Sequence, residues 1–93
     1  MMTIDQLKEV MKFQLSNFNN EGVEITDETV HDKVLDEDDG FGNMNSKSIY
    51  KDAIKFTLAK QGHGLKSWPS DWMDMSVKDL AEKLISTTEP IEP

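Results

Sequence analysis

The opening residues constrain the fold most. From Ile4 onward, apolar side chains fall at Ile4, Leu7, Met11, Leu15 and Phe18. These spacings of three and four line one side of a helix and no single face of a strand. A short helix striped in this way is stable only when its stripe is covered. In a chain of 93 residues the cover has to come from other amphipathic segments of one small domain. Thr3 and Gln6 have the form of a capping box, Asp5 complements the positive end of the helix dipole, and the run Asn17, Asn19, Asn20, Glu21, Gly22 ends the helix.

Two further stretches repeat the helical period. Between Ser46 or Ser48 and Gln61, Ile49, Ala53 and Phe56 make one row and Tyr50, Ile54 and Leu58 an adjacent one. An arc this broad predicts a central helix covered on most sides, with Phe56 inside it. Gly62 and Gly64, flanking His63, supply a left-handed ending. Ser76 opens a last helix, whose face is Val77, Leu80, Ala81, Leu84 and Ile85. Between the first two helices, residues 23–42 read as a long ordered loop. Val30, Val34, Leu35 and Phe41 pin it to the core, and Asp36-Glu37-Asp38-Asp39-Gly40 forms an acidic turn. Trp68, Trp72, Met73 and Met75 crowd one short stretch, where a turn capped by Ser70 would close the open end of the bundle. The expectation is therefore an all-α fold: a small three- to four-helix bundle, one domain over residues 1–86, with residues 87–93 a frayed tail.

Composition narrows function more than it narrows fold. Cysteine is absent, which removes disulfides, thiolate metal sites and cysteine nucleophiles together. All ten basic residues are lysines, set against eighteen acidic ones for a net charge of −8. A negative chain without arginine is poorly suited to nucleic acid, whereas its field favours protein partners with basic surfaces. Charges at Asp5, Lys8 and Glu9 interrupt any signal segment and no apolar run is long enough for a bilayer, so the expectation is a cytoplasmic protein without a membrane partner. The acidic turn does not fit a calcium loop: counted from Asp36, the sixth position is Phe41 and the twelfth Lys47. His31 and His63 stand on separate loops without ligand spacing and read as surface histidines. Nothing resembles a nucleophile elbow, and the chain reads as a non-enzyme without catalytic or metal-ligating residues. Lys47, Lys51, Lys55 and Lys60 read as a solvated face of the second helix.

The order of elements is similar to that of the acyl carrier protein family, including peptidyl and D-alanyl carriers. The similarity covers nearly the whole chain in outline. It lies in Ile4 to Leu15, in Leu35-Asp36-Glu37-Asp38-Asp39-Gly40-Phe41-Gly42, and in Ser76-Val77-Lys78-Asp79-Leu80. The family opens its second helix with Asp-Ser-Leu, whose serine carries 4'-phosphopantetheine; the corresponding place here reads Asn45-Ser46-Lys47. The resemblance implies a cofactor site at Ser46. It also implies that the domain presents a tethered acyl or aminoacyl group to partners, among them a phosphopantetheinyl transferase and acyl-transferring enzymes. The alternative is an unmodified acidic interaction or inhibitor protein that binds a basic surface on its target.

Overall fold

The computed structural model describes residues 2–19, 22–35 and 46–90. The acidic turn at 36–40, Phe41 and Asn45 fall outside these segments, as does the end of the tail, 91–93. Helix α1 runs Ile4–Ser16 and opens on the complete capping box: the Gln6 amide donates to Thr3 Oγ1 (3.1 Å) and the Thr3 amide to Gln6 Oε1 (2.9 Å). Helix α2 runs Ser46–Lys60, and α3 Val77–Thr87, capped by Ser76 Oγ, which accepts from the Asp79 amide. After α2 the chain turns at Gly62, whose φ of +83° is strained for any residue with a Cβ. Short 3-10 turns at His31–Lys33 and Trp72–Asp74 shape the two longer connections.

The all-α expectation is wrong. His63–Leu65 forms strand β1, and Thr88–Pro90 forms β2 directly after α3; the two pair antiparallel with Gly64 opposite Glu89. The protein is a small mixed α/β fold of three helices and a two-stranded sheet among the described residues. The first residues of the expected tail are therefore built in, with Thr87 closing α3 and the next three paired. Pairing satisfies their backbone groups, and a Lys66–Glu89 ion pair at 2.7 Å lies beside the seam. Strands of three residues are too short to show alternation, so hydrophobic period gives no sign of them.

The core joins Leu7, Met11 and Leu15 of α1, Tyr50, Ile54 and Leu58 of α2, and Val77, Leu80, Ala81 and Leu84 of α3. Leu35 and Trp72 complete it from the connections. Helix α1 lies mainly against α3 and more lightly against α2. Phe56 is not in this core: it is 65% exposed, and Ile49 is 38% exposed. The core takes only one of the two apolar rows of α2, the row of Tyr50, Ile54 and Leu58, while the helix itself packs against β1 and α1. The segment before the first 3-10 turn is fastened twice. Asp27 Oδ2 lies 2.9 Å from Lys8 Nζ and Oδ1 3.0 Å from Lys12 Nζ, while Val77 N–H donates to Thr29 O and Lys78 N–H to Asp27 O. The hydrogen bond from Lys8, with that from Lys12, holds the Asp27 carboxyl below its ordinary range.

Candidate functional site

Ser46 is the first residue of α2. Positions 46, 50 and 54 follow one another a turn apart, so Ser46 stands at the rim of the row that enters the core, half-buried, while Ser48 is exposed. Local charge at this helix start differs from that at the other two. Helices α1 and α3 meet the positive end of their dipoles with their own carboxylates, Asp5 and Asp79. The first turn of α2 holds no acidic residue and carries Lys47. The dipole makes this the positive end of α2.

One turn below Ser46 is a buried polar and aromatic cluster. His31, expected at the surface, is fully buried. Its Nδ1 lies 2.7 Å from Met75 O and its Nε2 2.8 Å from Tyr50 Oη. Since a carbonyl can only accept, Nδ1 carries the proton and Nε2 accepts from the tyrosine hydroxyl. Burial pushes the His31 pKa down and the Tyr50 pKa far up, so both stay neutral. The Tyr50 and Trp72 rings stack at 5.8 Å, and Trp68 meets Trp72 edge-on at 5.4 Å. Lys51 Nζ sits 5.7 Å above Trp68, on the same helix flank as Lys47. The tryptophan stretch joins the core through Trp72, with Asp71 and not Ser70 at the cap position of its turn; Trp68 is half-buried, and its Nε1 is buried with no hydrogen-bond partner among the described residues.

His63 is also buried, contrary to expectation. The Met2 amide donates to its Nε2 (3.0 Å), which leaves Nδ1 to donate to Thr88 Oγ1 (3.1 Å). It thus joins the start of the chain to β2. Each histidine is engaged with its own structural partners. Among the described residues no three His, Cys, Asp or Glu side chains form a group that could hold a metal. The Tyr50 hydroxyl was the clue to His31, because a tyrosine in the inward row of a helix needs a buried hydrogen-bond partner. A shallow cavity of about 320 Å³ lies between Lys66, Ser67 and Ser86–Glu89, beside the strands, and Ser46 does not line it. Among the described residues no helix is long and apolar enough to cross a membrane. Compared with protein-family models, curated proteins and solved structures, the chain matches none, so its own geometry is what bears on its function.

Proposed function

We propose that this chain is an acyl-carrier-like protein, with the Ser46 hydroxyl as the attachment point for 4'-phosphopantetheine. The observation that carries the reading is the first turn of α2: a serine in a turn without carboxylates, beside Lys47, in a chain otherwise dominated by negative charge. The residues present fit the group, because a phosphodiester on Ser46 Oγ would meet the α2 amides and Lys47 and no neighbouring carboxylate within that turn. Bound there, the group would supply a terminal thiol able to carry an acyl or aminoacyl cargo on a long arm. Attachment joins Ser46 Oγ to the pantetheine phosphate of coenzyme A, with loss of the hydroxyl proton and release of adenosine 3',5'-bisphosphate. The chain's own residues hold the serine. Tyr50, a turn away, is stacked on Trp72 and hydrogen-bonded to His31, so the inward row of α2 is locked against the core.

A second reading has its own support. Glu24, Glu28 and Asp32 are all exposed along the segment fastened to α1 and α3, a row of carboxylates suited to a basic partner surface without any modification. Coexpression with a broad-specificity phosphopantetheinyl transferase separates the two. On the carrier reading, the intact mass rises by one phosphopantetheine group, Ser46→Ala abolishes the rise, and Ser48→Ala keeps it. If the wild-type chain gains no mass, the carrier reading falls and the unmodified acidic binder replaces it.

A further inference from the structure

The outward face of α2 contributes nothing to the core and joins exposed apolar side chains to lysines. Ile49 and Phe56 lie on it two turns apart, 38% and 65% exposed. Asp52, Lys55 and Lys60 are exposed between and beside them, and Lys60 Nζ rests 5.3 Å above the Phe56 ring. Helix α2 carries four lysines and one carboxylate within a chain of net charge −8, so positive charge is concentrated on the helix that also exposes two large apolar side chains. A solvated face needs no phenylalanine: an exposed ring forgoes roughly 1.5–3 kcal/mol of burial that a partner can supply.

We propose that this face docks an acidic amphipathic segment of a partner protein. Apolar side chains of that segment cover Ile49 and Phe56, about 10 Å apart along the helix axis, and its carboxylates meet Lys55 and Lys60. The lysines repel a basic partner at this position, and charge complementarity sets both encounter rate and register. A bilayer is a poorer occupant, since two apolar residues in two turns with Asp52 between them make a thin stripe to insert. This inference is independent of whether Ser46 is modified.

The test uses the isotope-labelled full chain and a synthetic helical peptide with a leucine row flanked by glutamates. The same peptide with lysine for glutamate, and phosphatidylglycerol vesicles, serve as alternative probes. The expected result is amide shifts confined to the outward face of α2, with binding that weakens as salt rises. Phe56→Ala should weaken binding at least about tenfold, a typical loss for an interface anchor, and the Lys55→Glu/Lys60→Glu double variant should abolish it. Phe13→Ala removes an equally exposed ring from α1 and should leave binding unchanged. The proposal is overturned if the acidic peptide fails to bind at millimolar concentration or the lysine peptide binds as well. It is equally overturned if only the vesicles bind in a Phe56-dependent way, or if Phe56 instead mediates self-association of the chain.

Discussion

Helices α1 and α2 are similar in length, and each sends one row of side chains into the core: Leu7, Met11 and Leu15 from the first, Tyr50, Ile54 and Leu58 from the second. They differ in what is left over. Helix α1 leaves one ring, Phe13, exposed, but it has a full capping box and lysines paired with Asp5, Glu9 and Asp27. Helix α2 has two apolar rows, only one of which enters the core, and a first turn without its own carboxylate. Where a helix has more apolar surface than its core can cover, the excess is left on the surface.

Removing inward side chains should show that the two helices are equivalent on the core side. Leu15→Ala and Leu58→Ala should each lose about 2–5 kcal/mol in urea unfolding. A large loss at Leu15 with little at Leu58 would mean that α2 is rotated from its described position. The next largest effect belongs to the polar contact that only α2 makes. Tyr50→Phe keeps the ring stack but leaves buried His31 Nε2 without its donor, and should cost about 1–3 kcal/mol.

The same histidine sets an acid limit on stability. Burial lowers its folded pKa below the ordinary 6.5, so beneath that pH the unfolded chain binds more protons than the folded one. Above about pH 6.5 the term is absent, and as pH falls below that value stability should decline until the folded pKa is passed. Urea midpoints between pH 7.5 and 5.5 should fall for the wild type, with a shallower fall in His31→Gln. Smaller still is the cap of α1: Thr3→Ala should cost about 1 kcal/mol, visible as a lower thermal midpoint.

The contrast between the helices also separates what was legible in the sequence from what was not. The starts of α1 and α3 could be read from Thr3 with Gln6 and from Ser76, because capping depends on residues three apart. For α2 the sequence offered Ser46 or Ser48 as the opening cap, and Ser46 is the first residue of the helix itself. Which row of α2 turns inward was not legible, since both rows have helical spacing and the choice belongs to the elements packed against the helix, β1 and α1. The two strands escaped because each is three residues long and its partner is remote in sequence. The histidines were misjudged because their partners are also remote: Met75 is 44 residues from His31, and Met2 is 61 from His63. No spacing rule reaches that far.

Both the placement of Ser46 and the docking face rest on how α2 is turned about its axis, and one paired measurement tests it. Urea unfolding of Phe56→Ala beside Leu58→Ala compares two residues on one turn of the helix, the first exposed and the second buried. The predicted result is a change within about 0.5 kcal/mol for Phe56→Ala, against a loss of about 2–5 kcal/mol for Leu58→Ala. A loss of about 3 kcal/mol or more at Phe56, with little change at Leu58, would put the other row in the core and contradict the account.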